Sequence, residues 1–366
     1  MKTPLRMAVV GVGRIGIFHA QHAQELATMR GDCQLVALVD SFADTAQRAR
    51  DQLQSGQDGE IVTFDDVDAL VESGTNDVAV IASRTSDHHR DAKALVDAGM
   101  RVLLEKPLTD SLHSANSFAA YLNADPVRQR AVMLAFMRRF DPALLHAKSL
   151  LEQDSIGRLF KLVSILEDPT GPPDGYSSAG LLVDMAVHNA DEIMWLTDGQ
   201  RPTAVRGAGA RLHNQLTSTV VEDFDDGFFQ MWFEGEDLMA QVQVSRNHVA
   251  GYRNETYLYG ENGLIHVGAF RGNAGSVTVE HYGREGLIDN RSFETRDYGS
   301  DVPVFITRFG TAYAAELDDF TDKCLKDQPF SVNHDDGLRA LQVVTDGMQS
   351  QTTRAQATPV AWKPPS

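Results

Sequence analysis

Three short stretches of this chain hold residue types that could do chemistry together. Gly11-Val12-Gly13-Arg14-Ile15-Gly16 is a G-x-G-x-x-G run, Glu105-Lys106-Pro107 places an ammonium group before a proline, and Asp184 and His188 stand four residues apart. An imidazole titrates near neutrality, so His188 can take a hydroxyl proton and return it. An ammonium such as that of Lys106 can donate a hydrogen bond to a reacting oxygen and stabilise developing alkoxide charge. If their segment is helical, Asp184 and His188 share a face. Asp184 could then orient the ring, raise its basicity or bind a substrate hydroxyl. Together these groups suit the oxidation of a secondary alcohol, where a base takes the hydroxyl proton while hydride leaves carbon. Taken singly they are weak signals, since a lone Lys-Pro is usually a turn and an Asp–His pair at this spacing is often a surface pair.

The context of the glycine run sharpens it. It follows an apolar stretch, residues 7–10, and opens a helix-like stretch, residues 15–29. In such a turn Gly11 permits the tight bend, Gly13 lets the backbone approach a pyrophosphate and Gly16 lets the helix pack closely on the strand. Gly11, Gly13, Arg14, Ile15 and Gly16 are therefore the expected phosphate-binding segment, with the helix N-terminus offering free N–H groups and a positive dipole end. A second apolar run, residues 34–39, ends at Asp40, where a carboxylate can accept hydrogen bonds from the adenosine ribose hydroxyls. It would repel a 2′-phosphate, and neither Ser41 nor Phe42 is an arginine that could pair with one. NAD is expected rather than NADP.

Helix-like residues 45–54, a third apolar run at 78–82, a helical stretch to about 98 and a fourth run at 100–104 continue the alternation. Strands alternating with helices predict a parallel sheet with crossover helices on both faces. After about residue 130 the texture changes. One more apolar run, 131–136, and a helix over 141–153 lead into alternating stretches at 160–166, 227–233, 238–244, 257–259 and 276–281. Turns such as Glu261-Asn262-Gly263 join them, which predicts a largely antiparallel sheet. Helices are expected over 309–326 and 335–352. The fold class is thus α/β: a Rossmann-type dinucleotide-binding domain at 1–130, then an α/β domain with a mostly antiparallel open sheet at 131–366, with the active site in the cleft between them.

Composition excludes other classes. At 366 residues, two domains are the natural expectation. The net charge of −18 is spread along the chain and disfavours nucleic acid or an anionic membrane as partner. Cys33 and Cys324 are far apart and indicate no disulfide framework; no metal-ligand spacing occurs, so no metal is expected. The N-terminal residues run directly into a strand-like segment with no secretory signal, and no run of ~18 apolar residues is present. A cytoplasmic location is the expectation.

Glu105-Lys106-Pro107 and the segment from Gly180 through Asp184, His188 and Asn189 to Asp191, with the early glycine run, resemble the family of glucose–fructose oxidoreductase, inositol dehydrogenase and related proteins over nearly the whole chain. Residues 136–141, Glu167-Asp168-Pro169, and Arg308-Phe309 with Tyr313, Glu316 and Phe320 look most like the inositol dehydrogenase branch. The resemblance implies that Lys106 lies near the nicotinamide, behind a cis peptide that aims it inward, with Ser83, His88 and Glu105 also at the cofactor. It implies that Arg138, Asp168, Asp191, Tyr252 and Tyr313 contact a polyol, and that the last helix packs back on the first domain. It further implies a homodimer or homotetramer, which would cover the exposed face of a broad sheet. The implied reaction is NAD-dependent oxidation of an inositol-like cyclitol. A pyranose dehydrogenase, a keto-sugar reductase and a cofactor-binding regulator without turnover are the alternatives. Several positions depart from the family pattern. Asp168 stands where one branch has asparagine, Asn189 where an acid is frequent, Ala179 for the first glycine of a common Gly-Gly, and Arg84 for a frequent proline. The proline- and glycine-rich residues 168–176 are expected to form a loop beside the pocket.

Overall fold

The computed structural model describes residues 3–54, 59–169, 180–211, 224–235, 237–269, 275–299 and 302–353. The first part alternates strictly: β1 (Leu5–Val10), α1 (Gly16–Arg30), β2 (Cys33–Val39), α2 (Ala43–Gln54), β3 (Val62–Phe64), α3 (Val67–Ser73), β4 (Val78–Ile81), α4 (His88–Asp97), β5 (Arg101–Glu105), α5 (Leu112–Asn123), the short α6 (Pro126–Gln129) and β6 (Val132–Ala135). The strands form a parallel sheet in the order β3-β2-β1-β4-β5-β6. Their apolar runs are buried on both faces, as crossover helices require. Strand order reverses at β1, between β2 and β4, and a doubly wound sheet opens its binding crevice at such a point.

The chain then leaves this sheet through a 3-10 turn (Met137–Phe140) and α7 (Pro142–Glu152), whose N-terminus is capped by Asp141 accepting from the N–H groups of Ala143 and Leu144. Next come β7 (Leu159–Glu167), a π turn (Leu182–Ala186) running straight into α8 (Val187–Leu196), β8 (Ala204–Ala210), β9 (Asp226–Trp232), β10 (Met239–Ser245), β11 (Arg253–Gly260), β12 (Gly263–Ala269), β13 (Ser276–Gly283) and β14 (Gly286–Glu294). They make an eight-stranded sheet in the order β14-β13-β12-β11-β7-β10-β9-β8, in which β7 and β10 are parallel and the other pairs antiparallel. Alternate residues such as Phe229, Met231, Val242, Val244, Leu258 and Ile265 are buried on one face. Both expected sheets are present.

Two long helices tie the sheets together. α9 (Val304–Leu325) lies against α1, with Leu317 and Phe320 in the apolar core beneath β1, and its earlier residues Phe309 and Ala312 packed on Met137. α10 (His334–Thr353) is the expected last helix. It touches both parts, packing on α5 and β6 of the parallel sheet and on α8 and β8 of the second. No helix of the described residues is long and apolar enough to cross a membrane.

The glycine turn shows why its residue types are required. Gly11 has φ +79°, and a Cβ there would stand 2.5 Å from the Ser83 backbone. A Cβ on Gly16 would lie 1.7 Å from the Gly11 carbonyl oxygen, so α1 starts where only glycine fits. Gly16→Ala is accordingly expected to lower unfolding stability by about 3 kcal/mol or more in chemical denaturation, through overpacking against backbone. An unchanged midpoint would show that the helix start tolerates a methyl.

Candidate active site

The dinucleotide end is built on the turn after β1. Unlike its neighbours, Gly13 has open space where a Cβ would point, with nothing within 4 Å. That is the cradle a pyrophosphate needs. Asp40 ends β2 with its carboxylate fixed by two backbone donors, the N–H of Val12 at 3.1 Å and of Phe42 at 3.0 Å. Its position is set by the turn it serves. The Arg14 guanidinium lies 5.4 Å from the Phe305 ring and Ile15 packs on the cluster holding Ile306 and Phe309, so the turn is seated against α9. These residues fit a bound NAD: backbone and glycine for the phosphates, a carboxylate for the ribose.

Ser83 and His88 follow β4. The Ser83 hydroxyl donates to Asp91 at 2.7 Å. His88 is buried, with Nδ1 2.9 Å from the Pro107 carbonyl and Nε2 3.2 Å from that of Ser83. Burial pushes its pKa down, and each ring nitrogen faces a backbone carbonyl. His88 is thus a buried brace that joins the β4 loop to the Lys106-Pro107 segment. Glu105 is buried too, with Oε1 2.8 Å from His19 Nε2 and Oε2 accepting from the Lys106 N–H at 3.1 Å. Burial raises its carboxyl pKa, but His19 and Lys106 outweigh that and hold it below the usual range.

Lys106 stands at the carboxyl end of β5, and the Lys106–Pro107 peptide bond is cis. Its Nζ donates to the Asp184 carbonyl at 3.1 Å and lies 4.0 Å from the Asp184 carboxylate. The second carboxylate oxygen accepts from Arg246 Nη2 at 3.0 Å. Residues 182–186 wind as a wider i→i+5 turn, and Asp184 serves Lys106 and Arg246. His188, in the first turn of α8, is buried, and its Nδ1 has no protein partner. Burial, then the charges of Lys106 and Arg138, push its pKa well below the usual histidine value. At neutral pH the ring is an uncharged base.

The residues expected to face a polyol divide into two groups. Asp168 lies within electrostatic reach of Lys106, Tyr252 of Asp168, and Tyr313 of Tyr252 and Glu105. Asp168 is pinned by backbone bonds to Ser245 and His248, and its carboxyl is pushed up to about 6 by burial and by Asp184, against Arg246, Arg14 and Lys106. The Tyr252 hydroxyl is buried beside Asn254, and its pKa is raised by burial and by Asp168. Burial and Glu105 likewise raise Tyr313. Arg138 and Asp191 are instead bound into the protein. Arg138 is 2% exposed and pairs with the fully buried Glu192 at 2.6 Å, which also accepts from Ser164 and Thr256. Its Nε alone is buried without a partner. Asp191 takes two hydrogen bonds from Arg139, which reaches on to Asp336 of α10 at 3.1 Å. Asn189 donates to Ser164 at 2.7 Å in the same layer.

Arg246 is the site residue absent from the sequence expectations. Its signal was a charged residue directly after an apolar strand ending, buried to 4% exposure in the structure. Residues 170–176 of the expected pocket loop, and Ala179, lie outside the described residues. Among the described residues no group of three or more His, Cys, Asp or Glu could hold a metal ion.

Fold and site together define a dinucleotide-dependent oxidoreductase. Comparison with known proteins agrees. Residues 5–131 match an oxidoreductase family with an NAD-binding Rossmann fold, and residues 144–266 match the GFO/IDH/MocA C-terminal domain. The chain belongs to the GFO/IDH/MocA family, and it is an NAD-dependent dehydrogenase. It is 27% identical over 363 residues to a scyllo-inositol 2-dehydrogenase (NAD(+)) of Bacillus subtilis, covering 96% of this chain and 97% of that one. A myo-inositol dehydrogenase from Corynebacterium glutamicum superposes with a TM-score of 0.78 at 27% identity, covering 96% and 97% of the two chains. A scyllo-inositol dehydrogenase from Lactobacillus casei, solved with NAD(H) and scyllo-inositol, superposes at 0.77 with 25% identity, covering 96% and 98%.

Asp168 provides a direct check on the site's electrostatics. Its carboxyl should titrate near pH 6, far above an ordinary aspartate, in a 13C NMR titration, and the signal should vanish in Asp168→Asn. A titration in the usual aspartate range would mean that water reaches the group.

Proposed function

We propose that this protein oxidises a secondary alcohol of an inositol-like cyclic polyol to the ketone, with NAD⁺, and can run the reverse reduction. The observation that carries this is the buried, unpartnered Nδ1 of His188 within reach of the Lys106 charge, with the buried Asp168 carboxyl within reach of the same charge. Buried polar groups are ordinarily satisfied. A ligand bearing a ring of hydroxyls, each both donor and acceptor, suits such a set. The names of the similar inositol dehydrogenases support the same class.

Bound NAD⁺ would be held by the glycine turn and Asp40 and would supply the hydride acceptor. The chain's own residues do the rest. His188, neutral and desolvated, takes the hydroxyl proton. Lys106 donates to the same oxygen as charge develops on it. Asp184 fixes the ammonium through its carbonyl and carboxylate, and Arg246 fixes Asp184. Asp168, ionised above about pH 6, and Tyr252 orient the neighbouring hydroxyls. NAD is preferred to NADP because the anchored Asp40 carboxylate would repel a 2′-phosphate.

The protein also assembles as a homodimer or homotetramer through the outward face of the eight-stranded sheet, where Phe228 is 46% exposed and Tyr257 stacks on His266 at 4.3 Å. Light scattering should give a multiple of the 40.2 kDa chain mass, and a monomer would remove this part.

The activity is tested by mixing protein with NAD⁺ and a panel of inositols and pyranoses while following absorbance of the reduced cofactor. Turnover is expected with a cyclitol; turnover with pyranoses alone would shift the substrate class, and none with any polyol in either direction would remove the proposal. Lys106→Ala and His188→Ala should each lower kcat by ~100-fold or more while cofactor binding persists. Full activity in either would show that its role is misassigned. Asp40→Ala should weaken NAD more than NADP, and the reverse would overturn the cofactor preference.

A further inference from the structure

Beneath Lys106 lies a second set of buried polar groups that the mechanism above does not use. Glu316, on α9, is 0% exposed and neither of its carboxyl oxygens has a protein partner. His19, on α1, is 1% exposed, and its Nδ1 is likewise buried and unpartnered. α9 lies along α1, the Tyr313 ring, one turn before Glu316 on the same helix face, meets the His19 ring edge-on with centroids 5.6 Å apart, and Glu316 and His19 both lie within electrostatic reach of Glu105. The other His19 nitrogen, Nε2, faces Glu105 Oε1 at 2.8 Å, and Glu105 Oε2 receives the Lys106 N–H.

Hydrogen-bond accounting then fixes the protons. Glu105 accepts on both oxygens, so His19 Nε2 carries a hydrogen. In the neutral ring, Nδ1 is then an acceptor in need of a donor. A fully buried carboxyl with no donor on either oxygen and no cation against it is stable only when protonated, and a protonated carboxyl is a donor. The charged groups around Glu316 favour that state. Glu105 from β5, Asp191 from α8 and Asp319 on its own helix are all acidic and, after burial, push its pKa well above the usual carboxylate value. On the 3-10 turn that also packs against α9, Arg139 is taken by Asp191 and Arg138 by Glu192.

We propose that Glu316 stands as a neutral carboxylic acid whose O–H is linked to His19 Nδ1 through one buried water, and that this link positions Lys106. The chain of bonds runs from the Glu316 O–H through the water to His19 Nδ1, from His19 Nε2–H to Glu105, and from the Lys106 N–H to Glu105. It locks one tautomer of His19, keeps Glu105 ionised and holds the start of the Lys106-Pro107 segment. Glu316 is a positioning residue and touches neither cofactor nor substrate.

The test has an arm that needs no catalysis. In 15N-histidine NMR of the full-length protein at pH 7, His19 (assigned by its loss in His19→Gln) should be the neutral Nε2–H tautomer with Nδ1 accepting a hydrogen bond. The infrared band of a protonated carboxyl should be present in the wild type and missing in Glu316→Gln. An imidazolium or an Nδ1–H tautomer at His19, or no such band, overturns the proposal. The kinetic arm alone rests on the dehydrogenase reading above. Glu316→Gln can still donate, so kcat should stay within about threefold, while Glu316→Leu should lose about 100-fold in kcat with KM for NAD⁺ within about threefold, as misplacement of a catalytic group does. Unchanged kcat in Glu316→Leu, or equal damage in both variants, overturns the positioning role. Should Glu316→Leu fail to fold, the spectroscopic results and Glu316→Gln still decide. Should no polyol turn over at all, the spectra judge Glu316 independently.

Discussion

Lys106 belongs to one sheet and is bonded to the other. Its backbone ends β5 of the parallel sheet, while its ammonium donates to the carbonyl of Asp184, at 3.1 Å, on the π turn that precedes α8. That contact closes the gap between the cofactor turn and the polar groups of the second sheet. Arg246, from the end of β10, holds the Asp184 carboxylate from the far side. A π turn leaves backbone groups outside the regular i→i+4 ladder, and here it lets one residue offer its carbonyl to a lysine and its carboxylate to an arginine. Because both partners come from rigid strand ends, the ammonium is fixed by elements and not by a loop.

Below this contact the protein keeps an unusually charged interior. The Arg138–Glu192 pair and the Asp191–Arg139–Asp336 chain sit where apolar packing would ordinarily be at least as stable, and His19 is hydrogen-bonded to the buried Glu105 beside them. Their placement explains their presence. Each joins elements that must keep register around the site: the 3-10 turn to α8, α8 to α10, α1 to β5. Breaking such a pair by removing one partner typically costs about 3–5 kcal/mol, since a buried charge is left alone. The layer therefore behaves as a scaffold that resists small shifts, and a misplacement of about 1 Å is what catalytic geometry tolerates least.

Much of this was legible in the sequence. β1 and β2 of the parallel sheet are apolar runs closed by glycine and by aspartate, and the turn after β1 states its chemistry outright. Several elements, β12, α3, α5 and α6 among them, were not read, and three strands show why. β3 has three residues, too short for any period to register. β8 is Ala-Val-Arg-Gly-Ala-Gly-Ala, and β14 is exposed along nearly its whole length, so neither shows the alternation that marks a half-buried strand. Of the residues expected at the site, Asp168 lies within electrostatic reach of Lys106, Tyr252 of Asp168, and Tyr313 of Glu105 and Tyr252. Arg138, Asp191 and His88 carry polar types that a binding site and a buried ion pair or brace use equally. One chain position cannot say which partner from 50 or so residues away will claim it; Glu192 and Arg139 do so here, through contacts that only the fold creates.

The electrostatics then divide the labour among groups that are close together. His188 and Asp168 both lose solvent, yet burial drives them in opposite directions, because it disfavours the cation of one and the anion of the other. The imidazole is pushed well below its ordinary value and the carboxyl up to about 6, which brings the charge change of Asp168 close to neutrality and takes that of His188 away from it. Pairs of titratable groups whose surroundings separate them in this way mark acid–base assignments. Between about pH 6 and the alkaline range, His188 is uncharged and free to accept a proton while Asp168 is an anion able to accept hydroxyl hydrogens. The same desolvation that makes the base available at neutral pH also makes it weak, so proton transfer must be driven by stabilisation of the oxygen it leaves. That demand falls on Lys106, and it is why the ammonium has to be anchored from both sheets.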